Sequence, residues 1–218
     1  MDQTITTFGF TQAGEEAKYI TLDNGILRCT VTSFGATLCA LWVKDPQGVS
    51  RDVVLGYDTL SGYESGSAFL GATIGRHANR IAGASLPLGG KCYPLPANEG
   101  ENQLHGGEGF HKRLWDFQLT ESGVTFTLTS PHLDQGFPGT LTASVTYSLE
   151  GNALVLRYAA FSDRDTVCNL TNHSYFNLNG AGSGTAMNHV LWLNASHFTP
   201  VSSPACIPTG EIRPVEGT

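Results

Sequence analysis

Two stretches of the chain gather side chains able to hold a polyhydroxylated molecule and to move protons on it. The first, residues 71–113, places Arg76, His77, Asn79 and Arg80 within five residues. It continues to His105 in the run Asn102-Gln103-Leu104-His105-Gly106-Gly107, where glycine lets backbone approach a ligand closely. The second, residues 169–178, packs three asparagines, His173 and Tyr175 into ten positions. Asparagine, histidine and arginine hydrogen-bond hydroxyl groups, and an aromatic ring covers the C–H face of a pyranose. That combination suits a sugar. A histidine, with an ordinary pKa of about 6.5, gives and regains a proton near neutrality. Arginine does not release its proton, so its role is to hold and polarise oxygens.

Each of these residues also has a plainer reading. A single histidine is commonly a hydrogen-bonded part of the scaffold, so His77, His111, His132, His189 and His197 carry no assignment. Arg76 and Arg80 fit paired surface charges as well as ligand contacts. Asn172 and Asn177 fit turn caps. Trp42, Trp115 and Trp192 lie inside strand patterns and are read as core. No HExxH, phosphate-binding glycine loop or GxSxG elbow is present.

The elements that must position these stretches are strands. Residues 18–23, 27–33, 37–44, 115–120, 123–129, 140–149 and 153–161 mix β-branched and apolar residues between turn signals. Further strands are expected at 166–170 and 189–194, and Asp134-Gln135-Gly136-Phe137-Pro138-Gly139 reads as a turn between strands. No amphipathic helix of three turns is found. The expected fold class is therefore all-β, a large antiparallel β-sandwich, with residues 1–218 as a single domain.

Composition narrows the function classes. The 26 glycines and 10 prolines suit a many-stranded fold with frequent reversals. A net charge of −7 with no basic run argues against nucleic acid and anionic membranes as partners. The five cysteines show no CxxC pair, and three sit among apolar or β-branched neighbours, which reads as buried thiols in a reducing compartment. The N-terminus lacks a signal-peptide pattern and no apolar run is long enough for a membrane span, so the expected location is cytoplasmic. On that basis the Asn-x-Ser/Thr triplets at Asn169, Asn172 and Asn194 are chance matches.

Four blocks, in order, carry a resemblance. Gly75-Arg76 through Asn79-Arg80-Ile81, the Asn102–Gly107 run, the Asp134–Gly139 run and Thr171-Asn172-His173-Ser174-Tyr175-Phe176-Asn177-Leu178 resemble the aldose 1-epimerases, or galactose mutarotases. Ile207-Pro208-Thr209-Gly210-Glu211-Ile212 is similar to that family as well. The resemblance implies a β-sandwich of the galactose mutarotase type with an open cleft, interconverting the anomers of free aldoses. By motif position it implies that His173 is the general acid. It likewise implies that Asn79, Arg80, His105 and Tyr175, and with them Ser174, bind sugar. His105 joins the catalytic set with His173, polarising oxygens alongside Arg80. Neither a metal nor an organic cofactor is expected.

The family pattern runs on past Thr218. Its catalytic base is a glutamate from the C-terminal region, and one sugar-binding aspartate also comes from beyond the middle; neither maps onto this chain. Glu211 and Glu216 read as solvated loop charges. The expectation is a C-terminally incomplete sandwich with unpaired edges that takes an aldose, its remainder lost to a truncated gene, removed by a nick in an exposed loop, or supplied as a second polypeptide. Alone, such a chain is expected to be poorly soluble or to associate. Two alternatives stand beside this one. One is a non-catalytic sugar-binding sandwich. The other is an epimerase of sugar phosphates, with Arg76, His77, Arg80 and Lys112 as the phosphate contacts.

Overall fold

A computed structural model describes residues 1–218. The chain opens with an antiparallel meander of β1 (Asp2–Phe10), β2 (Glu16–Asp23), β3 (Arg28–Thr32), β4 (Thr37–Lys44) and β5 (Ser50–Asp52), paired in chain order. Asn24-Gly25 makes the β2–β3 reversal possible. Gly25 takes φ +82°, and Asn24 Oδ1 accepts from the N–H groups of Ile26 and Leu27. A single short helix, α1 (Leu60–Ser65), follows, capped by the Thr59 hydroxyl, which accepts from Gly62 N–H.

Short strands then fold the loops that carry the polar motifs. They are β6 (Thr73–Ile74), β7 (Arg80–Ile81), β8 (Ser85–Leu88), β9 (Lys91–Pro94) and β10 (Gln103–Leu104). The second main sheet is another antiparallel meander: β11 (Asp116–Thr120), β12 (Gly123–Ser130), β13 (Leu141–Glu150) and β14 (Ala153–Ser162). Three short strands complete the chain: β15 (Thr171–Asn172), β16 (His197–Phe198) and β17 (Arg213–Pro214).

The two meanders face one another across a shared core. Alternation along β13 sends Leu141, Ala143, Val145, Tyr147 and Leu149 inward, and β12 does the same with Val124, Phe126 and Leu128. Opposite them lie Ile20 and Leu22 of β2, Cys29 and Val31 of β3, and Leu38 and Leu41 of β4. Phe126 and Tyr147 meet edge to face, with centroids 6.0 Å apart. This is the expected all-β sandwich, and its architecture fixes the ends of the loops described below.

The seven main expected strands are all present within a residue or two. Strand β1 carries no strand signal in the sequence because most of its residues are exposed, which leaves no clean apolar alternation. Two expectations fail. Residues 189–194 form no strand, and Val190, Leu191, Trp192 and Leu193 stand in solvent, with Trp192 79% exposed. The apolar run had the composition of a strand but finds no neighbour to pair with. Residues 166–170 contribute only an isolated bridge between Asn169 and His77. Of the tryptophans, only Trp115 is core; Trp42 is half-buried beneath the Arg28 guanidinium, 4.2 Å from its ring. Two cysteines, Cys29 and Cys39, are buried, while Cys92 and Cys168 are exposed. No helix is long and apolar enough to cross a membrane.

Candidate active site

Arg76 anchors the first polar loop from inside the protein. It is buried, which overturns the surface-charge reading. Its Nε donates to Ser130 Oγ at 2.9 Å, Nη2 to the carbonyls of Ser130 and Pro131 at 2.8 Å, and Nη1 to the Pro138 carbonyl at 2.9 Å. Burial pulls its pKa down, and the nearby charge of Asp134 opposes that shift. Asp134 Oδ2 itself accepts from Ser130 Oγ and from Arg113. The Asp134–Gly139 turn therefore joins β12 to β13 and also completes the arginine's shell. The Arg76 carbonyl then accepts from Asn169 N–H at 2.8 Å, tying this loop to the second polar stretch.

The His105 loop docks against the first through backbone contact that only glycine permits. Gly106 takes φ +75°, and a Cβ there would lie 2.2 Å from the Gly75 carbonyl oxygen. Pairing of β7 with β10 sets Arg80 opposite Leu104. Beside that pair, Asn79 N–H donates to His105 Nδ1 at 2.9 Å, and His105 N–H donates to the Asn79 carbonyl at 3.1 Å. The first of these bonds fixes the tautomer: Nδ1 accepts, so the neutral ring carries its proton on Nε2. Burial, then the neighbouring His173 and Arg80, push the His105 pKa down to about 4. Near neutrality His105 is thus an uncharged hydrogen-bond donor.

Arg80 is held by a residue that the motifs did not single out. Glu99 takes it in a two-point ion pair, Nε to Oε2 and Nη2 to Oε1, while Nη1 reaches Asn79 Oδ1 at 3.2 Å. The arginine in turn lowers the Glu99 pKa. Arg80 is therefore a paired charge, and it stands beside His105.

The second stretch is pinned by Asn172. Pairing of β15 with β6 sets Asn172 opposite Thr73. Its Nδ2 donates to the Gly71 carbonyl at 2.8 Å and to Tyr147 Oη at 3.1 Å, and its Oδ1 accepts from Ser174 N–H. Asn172 is thus the turn former expected, and Asn177 is another, its Oδ1 accepting from Asn179 N–H. Tyr147 Oη continues the chain of bonds to the Ala36 carbonyl at 2.7 Å. Core and site are joined at this tyrosine. His173 itself is fixed at the backbone, its N–H donating to the Ala72 carbonyl and its carbonyl accepting from Gly71 N–H.

These anchors bring His105, His173 and Tyr175 together. The two imidazoles meet edge to face, with centroids 5.0 Å apart, and the Tyr175 ring lies 5.2 Å from His173. Phe69, another residue without a sequence signal, touches His105 at 4.8 Å and His173 at 5.6 Å. The Ser174 hydroxyl oxygen is shielded from solvent and has no hydrogen-bond partner. Asn79 is exposed beside the cluster. Of the unassigned histidines, His132 and His189 accept backbone N–H groups as scaffold residues do. His111 is buried against Phe69, centroids 4.7 Å apart, and burial pushes its pKa down to about 3. No three His, Cys, Asp or Glu side chains converge as a metal cage.

Chemically, the cluster offers an uncharged N–H donor at His105, a second imidazole at His173, a fixed guanidinium at Arg80 and an exposed aromatic ring at Tyr175. Comparison with known proteins points the same way. The family described as Aldose 1-epimerase matches residues 18–218. A galactose mutarotase from Bos taurus is 47% identical over 198 residues, covering 90% of this chain and 58% of the relative. An aldose 1-epimerase from Haemophilus influenzae is 43% identical, covering 94% of this chain and 61% of the relative. Among solved structures, the GalM/aldose epimerase homologue from C. elegans superposes with a TM-score of 0.87 at 36% identity, covering 93% of this chain and 62% of the other. The chain spans about six-tenths of the length of the relatives it matches. It belongs to the aldose 1-epimerase family.

Proposed function

We propose that the protein interconverts the α and β anomers of free aldoses such as glucose or galactose. The observation that carries this is the contact between His105 and His173, two imidazoles 5.0 Å apart beside Arg80 and Tyr175. In the proposed reaction a base takes the proton of the C1 hydroxyl while His173 protonates the ring oxygen. The C1–O5 bond breaks to give the open-chain aldehyde, C1 turns about the C1–C2 bond, and the ring closes with the proton roles reversed. His105 Nε2–H and Arg80 donate to the sugar oxygens as charge develops. Asn79 holds hydroxyls, and Tyr175 covers the C–H face.

Residues 1–218 act in this reading as one folding unit. The family resemblance assigns the proton acceptor to a glutamate of the family's C-terminal region, and Glu99, committed to Arg80, does not fill that role. The net negative charge supports a small neutral substrate in place of nucleic acid or membrane, and the free thiols support a cytoplasmic location. Polarimetry on freshly dissolved α-galactose tests the reading, with and without the C-terminal part of a full-length relative. His173→Asn should lower turnover by about 10²–10⁴-fold while sugar binding persists. Sugar binding without faster anomer exchange in either mixture would identify a binding protein instead.

A further inference from the structure

His173 has an unusual support. Its backbone is bonded on both sides, yet its imidazole makes no hydrogen bond to any protein group. An imidazole that transfers protons ordinarily has its second nitrogen held by a carboxylate or carbonyl, which sets the ring's orientation. Three rings touch it: His105, Tyr175 and Phe69. Of these, His105 is itself bonded to Asn79, and Tyr175 is exposed.

Phe69 is the fixed member. Its backbone is left-handed at φ +56°, and its carbonyl accepts from Ala72 N–H at 3.1 Å, which closes a turn. The ring packs on the small cluster of Ala72, Ile74 and Ala78. His111, buried against the Phe69 ring in a T-shaped contact, has an Nδ1 with no partner and packs as a neutral ring. Phe69 therefore touches three imidazoles at once, at 4.7, 4.8 and 5.6 Å, with nothing polar of its own to contribute.

We propose that Phe69 is a positioning residue for the anomer exchange, orienting the His173 ring through aromatic contact where a hydrogen bond would ordinarily do so. This deepens the proposed function and rests on it. Phe69 transfers no proton; it restricts the rotation of His173 about its side-chain bonds, and His111 restrains Phe69 in turn. A proton donor that wanders by about 1 Å can lose on the order of 100-fold in rate, so ring contact suffices to matter.

The test uses Phe69→Leu and Phe69→Tyr, in the enzyme together with whatever second part full activity needs. In Phe69→Leu, kcat should fall roughly 10–100-fold with KM within about threefold, because orientation and not affinity is lost. Phe69→Tyr keeps the ring and should recover most of kcat. The second readout needs no substrate: NMR of the histidine rings should show Phe69-to-His173 ring contacts in the parent and in Phe69→Tyr. In Phe69→Leu those contacts vanish and His173 ring signals broaden, with the melting temperature little changed. An unchanged kcat, or a change confined to KM, overturns the proposal. An ordered His173 ring in a folded Phe69→Leu overturns it equally. If the parent exchanges no sugar anomers, the function reading fails, and the ring spectra still decide whether Phe69 orients His173.

Discussion

Acid should destabilise this protein in part through His111, and the size of the effect follows from where that ring sits. His111 is 8% exposed, with Phe69 on one side, and burial followed by the charge of Lys112 pushes its pKa down to about 3. In the unfolded chain the same imidazole titrates at about 6.5. Above that value both states are neutral and the group does not affect stability. As pH falls through about 6.5 the unfolded chain takes up a proton that the folded chain refuses, so stability is lost progressively down to the folded value. At about pH 4.5 the unfolded state gains roughly 3 kcal/mol from this one site, against almost nothing at pH 7. The perturbation is His111→Leu, which removes the titration and adds a constant offset from altered packing. Urea unfolding followed by circular dichroism at several pH values gives the stability of each protein. Between pH 7 and 4.5 the parent should lose about 2–3 kcal/mol more than the variant. Parallel profiles, within about 0.5 kcal/mol, would refute the reasoning.

Other consequences are open to simpler measurements. Arg76→Met leaves the Ser130, Pro131 and Pro138 carbonyls without their donors and should cost about 3–5 kcal/mol in denaturant unfolding. Tyr147→Phe removes the bond to the Ala36 carbonyl and the partner of Asn172, so a loss of about 1–2 kcal/mol is expected, with faster amide exchange at Asn172 and His173. A thiol reagent applied to the folded protein should modify Cys92 well before Cys29 and Cys39, whose thiols burial pushes up to about 12. Mass spectrometry of the labelled peptides reads the order.

The main strands were legible because their periodicity is local: alternate residues of β12 and β13 face the core, and that pattern is written in consecutive letters. Strand β1 was not, since its faces are mostly solvated, and the apolar run at 190–193 misled, because composition does not reveal whether a pairing partner exists. His105, His173, Arg80 and Asn79 were marked by residue type and spacing. Their supports were not. Glu99 is an ordinary acid in a loop, Phe69 a single aromatic among mostly small residues, and Arg76 gave no sign that it would be buried. Each acquires its role from a contact that is not local in sequence, such as Glu99 with Arg80 across 19 residues or Arg76 with Ser130 and Pro138 across 54 and 62. Pattern reading finds clustered polar groups more readily than the groups that hold them still.

The way the site is stitched together also bears on how it comes into being. Within each meander every strand pairs with its chain neighbour, so hairpins can close early at small loop-closure cost. The site has no such local route. His173 reaches Gly71 and Ala72, and Asn172 reaches Gly71, only after the polypeptide has doubled back over roughly a hundred residues, while Asn172 meets Tyr147 across 25. Contacts of such long sequence separation are expected to form after the hairpins. In refolding experiments, the ring contact between His105 and His173 should appear with the last phase of recovery, making it a sensor of complete folding that hairpin formation alone cannot trigger.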